Sequence, residues 1–194
     1  MPVTPGRPSG PGPAGATLTQ SEADTLYVSV DDLTPLPVLP TFRGCRVYGT
    51  TGVSNLVSTG FSVIPFDTEV FDATGFHSTV TNNHRFTVPT GYGGYYEITG
   101  AADFGVSNTS RQFALAVYKN GTAASNGTRL ALSTSPGHAN IALRLQVTTG
   151  PVALSAGDWV HLAGYMNSAS DGGTDGAITA GQDVTWFAIT QVAL

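Results

Sequence analysis

Residues 139–148 read Ala-Asn-Ile-Ala-Leu-Arg-Leu-Gln-Val-Thr, and the alternation inside them decides the fold class. Ile141, Leu143, Leu145 and Val147 fall on one side of an extended chain, Arg144 and Gln146 on the other. A period of two sets one side against a core and the other toward water, the pattern of a strand. Residues 111–119 repeat it with Phe113, Leu115 and Val117. Working outward, similar short runs lie at 43–49, 60–65, 84–88, 94–104, 128–133, 158–166 and 183–192. Turn-forming residues separate them: Asn82-Asn83, Asn120-Gly121, Asn126-Gly127 and Ala156-Gly157-Asp158. After Thr41 no long helical period interrupts the series. About ten short strands without helices predict an all-β, antiparallel sandwich or barrel.

Two of these strands lack a polar side. In 159–166, Val160, Leu162 and Met166 oppose Trp159, His161 and Tyr165; in 183–192, Phe187 and Ile189 oppose Val184, Trp186, Ala188 and Val192. A strand with one solvated side should alternate apolar with polar. An apolar second side needs its own cover, either another copy of the chain or the chain's own arm and loops. Self-association is the expectation drawn from this pattern.

Composition agrees with a chain that hides its surface. Only 11% of the residues are charged, less than half the usual ~25%, and Lys119 is the one lysine. The net charge is −5, with eight basic residues scattered along the chain. Phosphate-bound partners need clustered Lys and Arg, so nucleic acid is not expected. Nor is a membrane partner, because no apolar run reaches spanning length. The first twenty residues contain no apolar run and read as lacking a signal peptide. Synthesis in the cytoplasm is therefore expected, and the sequons at Asn108, Asn120 and Asn126 read as turn chemistry. Cys45, the only cysteine, reads as a small buried hydrophobe.

Residues 1–40 have a different character. Pro, Gly, Ser, Thr and Ala build 1–16, too little apolar surface to offset the cost of ordering. Gly10, Gly12 and Gly15 spell GxGxxG, but no strand precedes them, so nucleotide binding is not expected. Ser21 and Asp24 resemble a helix-capping pair that would start a short helix within 18–28. Pro35, Pro37 and Pro40 then read as an extended connector. The reading is an extended Pro/Gly-rich arm with a short helix (1–40), then a knob domain (41–194).

Several runs in the knob, taken in order, resemble the globular head of complement one-q, a relative of tumour necrosis factor in one superfamily of trimeric jelly rolls. Phe66-Asp67 and Phe71-Asp72 precede Arg85-Phe86-Thr87-Val88-Pro89, and Gly91-Tyr92-Gly93-Gly94-Tyr95-Tyr96-Glu97-Ile98 follows. Val117-Tyr118-Lys119-Asn120-Gly121 is similar to that head's V-x-K-N-G hairpin, and Leu154 to Val160 to its L-x-x-G-D-x-V turn. Trp186-Phe187-Ala188-Ile189 is similar to its last strand, with Ala188 where the pattern has Gly, and Gly93-Gly94 is an insertion in the G-x-Y element. The resemblance implies a jelly-roll sandwich that forms a homotrimer through its first strand, its last strand and the strand at 94–104. It thereby implies interface roles for Tyr48, for Tyr95 or Tyr96, and for Trp186. The same jelly roll occurs in bacteriophage virion proteins behind short Pro/Gly arms.

No chemistry is legible beside this. His77, His84, His138 and His161 lack metal-ligand spacing, no GxSxG elbow is present, and Asp67, Glu69, Asp72, Glu97, Asp103 and Asp158 form no recognisable acid pair. Asp171 and Asp175, set among glycines, read as a solvated loop rather than a calcium site. No catalytic residue, cofactor or metal is expected. By analogy, the expected function is a structural virion protein: a trimeric capsid decoration protein on the capsid surface, held to the major capsid protein or another virion component through residues 1–40. The alternative is a tail-fibre or head-fibre tip that binds a host receptor or a host-surface glycan.

Overall fold

A computed structural model of the protein describes residues 42–56, 60–105, 110–121, 127–136, 141–168 and 176–193. The arm and its expected helix, Asn108, Asn126, His138, Asp171 and Asp175 lie outside these residues. The described residues form thirteen strands: β1 Gly44–Tyr48, β2 Val53–Leu56, β3 Ser62–Val63, β4 Thr68–Asp72, β5 Arg85–Thr87, β6 Gly94–Phe104, β7 Ser110–Lys119, β8 Thr128–Pro136, β9 Leu143–Thr148, β10 Val152–Leu154, β11 Trp159–Ser168, β12 Gly176–Thr179 and β13 Trp186–Ala193. The expected count of about ten falls short because β2, β4, β10 and β12, of three to five residues, are too brief to show a period.

Every pairing is antiparallel, and the strands divide into two sheets. The larger, of eight strands, runs β2-β12-β6-β13-β1-β4, with β9 and β10 on the free edge of β6. The smaller, of five, runs β3-β11-β7-β8, with β5 beside β3 on the same edge of β11. Their inner faces supply the core. Tyr96, Ile98 and Phe104 of β6, Phe187 and Ile189 of β13, and Cys45 and Val47 of β1 meet Phe86, Val160, Leu162, Phe113 and Leu115 from the other sheet. At its centre Phe187 stacks on Phe86 (4.7 Å between centroids, 7° between planes) and on Phe66 (5.8 Å, 17°). Gly100 lies opposite Phe187 in register, and a β-carbon there would stand 2.9 Å from both Leu162 methyls. The sheets approach too closely at that point for any side chain.

The short sequence motifs turn out to be locks on turns. Asp158 accepts hydrogen bonds from the Ser155 backbone N–H, the Asn120 amide and the Lys119 ammonium, each at 2.8 Å. Asn120, at φ +49°, accepts in return from the Trp159 N–H at 2.9 Å. One cluster therefore joins the hairpin after β7 to the turn before β11. Burial alone would raise the Asp158 carboxyl, but the three donors hold it down at about 2. Asp72 accepts from four consecutive backbone N–H groups, Thr74 to His77, and Asp67 takes the Thr50 N–H and hydroxyl.

The second side of β11 finds its cover within the same chain. Trp159, His161, Ala163 and Tyr165 project from the outer face of the smaller sheet, where Phe61 packs edge-on to Tyr118 and tilts against Tyr165. His161 stacks on Tyr118 (5.6 Å, 15°), and Trp159 lies 5.2 Å from it. His161 is fully buried and neither ring nitrogen has a hydrogen-bond partner. For β11, then, the chain's own rings supply cover, the alternative to another subunit.

This burial has a cost that depends on pH. Desolvation first, and the nearby His84 second, pull His161 down to about 4 from an ordinary 6.5. Between those values the unfolded chain holds the extra proton and the folded chain does not, so stability rises with pH through the window. The contribution is complete above 6.5 and lost as pH falls to 4, a swing on the order of 3 kcal/mol. His161→Phe is expected to be more stable than wild type at pH 5 and to flatten the urea midpoint against pH. An unchanged pH slope would mean that His161 takes up its proton alike in the folded and unfolded chain.

Candidate interaction face

On the larger sheet, register decides which side chains leave the core. Tyr48 pairs with Trp186 and Trp186 with Ala101; Arg46 pairs with Ala188 and Ala188 with Thr99; Gly44 pairs with Thr190 and Thr190 with Glu97. These three rows form one outer face, because Cys45, Val47, Phe187, Ile189, Ile98 and Gly100 between them point inward. Small residues at 44, 101 and 188 keep the face low between its aromatic groups. Beside it, Phe71 pairs with Arg46 across β1 and β4, and Phe42 meets Phe71 edge-to-face at 5.5 Å.

Exposed apolar groups gather at the margins of the face. Phe42 is 54% exposed, Phe71 40%, and Tyr95 and Val192 48% each. Scattered apolar residues on a surface are ordinary; aromatic rings gathered on one sheet face are characteristic of contact with another molecule. The Arg46 guanidinium lies over the Trp186 ring, 4.8 Å from its centre, a cation–π distance. Its Nε is buried without a hydrogen-bond partner among the described residues.

Of the four candidates for a subunit contact, with Tyr95 and Tyr96 as alternatives, the structure brings three onto this side of the sheet. Tyr48 and Trp186 are neighbours in register, and Tyr95 lies at the far end of β6, where it pairs with Ala193. Tyr96 points the other way: it is fully buried, edge-on to Phe76, with its hydroxyl donating to the Tyr92 carbonyl. Adjacent residues of a strand face opposite sides, so only one of the two tyrosines can leave the core. Phe42, Arg46 and Phe71 were missed, although the spacing of Phe42, Gly44, Arg46 and Tyr48 is the same period of two.

The other residues weighed for chemistry are committed elsewhere. The Cys45 thiol is fully buried and pushed well up by burial, with Asp72 and Glu69 adding to the effect. His77 lies between Glu69 Oε1 and the Asn83 carbonyl, 3.0 Å from each. Asp103 is paired with Arg144 at 3.6 Å. Among the described residues, no three His, Cys, Asp or Glu side chains are placed to hold a metal ion.

Comparison with known proteins finds likeness in structure alone. No family model and no curated protein matches the sequence. Among solved structures, murine APRIL at pH 5.0 superposes with a TM-score of 0.51 at 11% identity, covering 78% of this chain and 99% of that one. Eiger TNF from S. frugiperda gives 0.48 at 13% identity, covering 78% and 93%. The first match shows the fold, a jelly roll of the tumour necrosis factor kind.

Proposed function

We propose that this protein is a non-enzymatic structural module whose knob assembles as a homotrimer through the outer face of the larger sheet. The observation that carries this reading is the aromatic face around Tyr48 and Trp186, partly buried, and Phe42 and Phe71, which the described residues leave about half exposed. We further propose, from the charge-poor composition and the Pro/Gly arm, a bacteriophage virion protein that decorates the capsid surface. In this reading the arm attaches to the major capsid protein or another virion component. Residues 1–40 contain few large apolar groups, so they add little to knob stability and suit an extended segment that orders on a partner.

Deleting residues 1–40 is accordingly expected to leave a folded, trimeric knob with nearly unchanged melting and to abolish attachment to the particle. Thermal unfolding and co-sedimentation with particles stripped of this component measure the two halves. Full retention of particle binding by the truncated knob would transfer the attachment to the jelly roll. A fibre tip that binds a host-surface glycan is the second reading, favoured by the polar cup described next. Adsorption of the protein to host cells separates the two.

A further inference from the structure

Away from the aromatic face, at the edge of the smaller sheet, the loop 75–82 and strand β5 enclose an open cup of about 140 Å³. That is well above the roughly 10–15 Å³ a single water needs. Its walls are His77, Ser78, Thr81, Asn82, Arg85 and Thr87, together with the backbone of Gly75 and Phe76. Residues bearing hydroxyls, an amide and one guanidinium therefore line a space that no side chain of the described residues fills.

The cup is built before any ligand arrives. Asp72 gathers the backbone N–H groups of residues 74–77, and the Ser78 hydroxyl accepts from Val80 and Thr81 at 3.3 and 3.0 Å. Thr87 N–H donates to the Phe76 carbonyl at 2.8 Å, and Arg85 N–H to the Asn82 carbonyl at 3.1 Å. Preformed walls remove much of the ordering cost of binding.

Charge then indicates what the cup would take. Asp72 is occupied by its four N–H donors, and Glu69 is paired with the His77 ring. Arg85 has no such balance: among the described residues no carboxylate lies within ion-pair distance of it. Its Nε is buried without a hydrogen-bond partner. The guanidinium lies over Trp159, 4.8 Å from the ring centre, a contact that places the cation without neutralising its charge. A half-buried fork of donors without an acceptor is costly alone and well suited to a planar oxyanion.

We propose that this cup binds the oxyanion group of an acidic sugar, a carboxylate or a sulfate, on Arg85, with Thr81, Asn82 and Thr87 receiving the sugar hydroxyls. The proposal does not rest on self-association, and its charged wall, Arg85, belongs to β5 of the smaller sheet. Calorimetry of the full chain with sodium glucuronate, glucose 6-sulfate, glucose and sodium sulfate tests it, with protein fluorescence as a second readout because Trp159 lies against Arg85. Glucuronate or the sulfated sugar should saturate with a Kd on the order of 1 mM, and glucose should not. Inorganic sulfate should compete and bind more weakly than either acidic sugar.

Arg85→Gln should weaken the acidic sugar at least about tenfold, and Arg85→Lys, which keeps the charge and loses the fork, should recover only part of that. Thr87→Val serves as a second variant should Arg85→Gln fail to fold; it should weaken the sugar more than it weakens sulfate. Equal binding of glucose and glucuronate, undiminished binding by Arg85→Gln, absence of saturation with both acidic sugars, or sulfate binding as tightly as they do would each overturn the proposal.

Discussion

Phe187→Ala is expected to cost the knob roughly 3–5 kcal/mol, the range for truncating a fully buried aromatic ring. Phe187 is fully buried and has Phe86 on one face and Phe66 on another, so its loss removes two ring contacts as well as buried area. The surrounding groups have little freedom to close the cavity. Gly100 opposite has no side chain to move inward, and Phe86 and Phe66 are anchored on separate segments. A domain of this size has about 5–15 kcal/mol in total, so the variant loses a large fraction of it. Urea unfolding measures the cost, and Phe187→Leu, which refills much of the volume, should lose less than half as much. A loss below about 1 kcal/mol for the alanine variant would place the core elsewhere.

Trp186→Asp and Tyr48→Asp are expected to produce the largest change of state, conversion of an assembled knob to single chains. Both side chains lie on the outer face, so neither variant removes a core contact. Each instead introduces a carboxylate where a contact would exclude water. Taking a charge out of water costs several kcal/mol, which the neighbouring Arg46 offsets only in part, and symmetry repeats that cost in every copy. Light scattering at micromolar concentration should give a threefold mass for wild type and a single-chain mass for both variants. The melting of the dissociated chains should report a folded jelly roll. Tyr96→Ala supplies the contrast, because that ring belongs to the core and its loss should lower stability whatever the assembly state. A single-chain mass for wild type would remove the trimer, and retention of the wild-type mass by both variants would move the contact to another surface.

The long strands were legible because their amphipathic period persists over eight or more residues. The expected bounds of β6 match the structure at both ends, and β7 and β13 agree to within a few residues. The short ones were hidden for a physical reason. Residues 68–72 read Thr-Glu-Val-Phe-Asp and have no buried member, so β4 has no alternation to display. The site was partly legible. Glu97, Thr99 and Asp103 share parity with Tyr95, and Ile98 and Phe104 share it with Tyr96, which is enough to choose between the two tyrosines. The cover over the outer side of β11 was not legible, because Phe61 meets Tyr165 from about a hundred positions away and no periodicity records such a meeting. Arg85 was equally opaque: what distinguishes it is the absence of an acceptor, which only coordinates reveal.

The order of strands in the larger sheet has a consequence for synthesis. β1 and β4 reach the rest of that sheet only through β13, the last of the strands along the chain. At about 5–20 residues per second, the ribosome separates β1 from β13 by a time on the order of 10 s. Throughout that interval the segment carrying Cys45 and Val47 has only the short β4 to pair with, and this two-stranded piece is not yet joined to the rest of its sheet. Closing so long a loop is slow for a β topology, so the nascent knob is most vulnerable to aggregation just before its final strand is released.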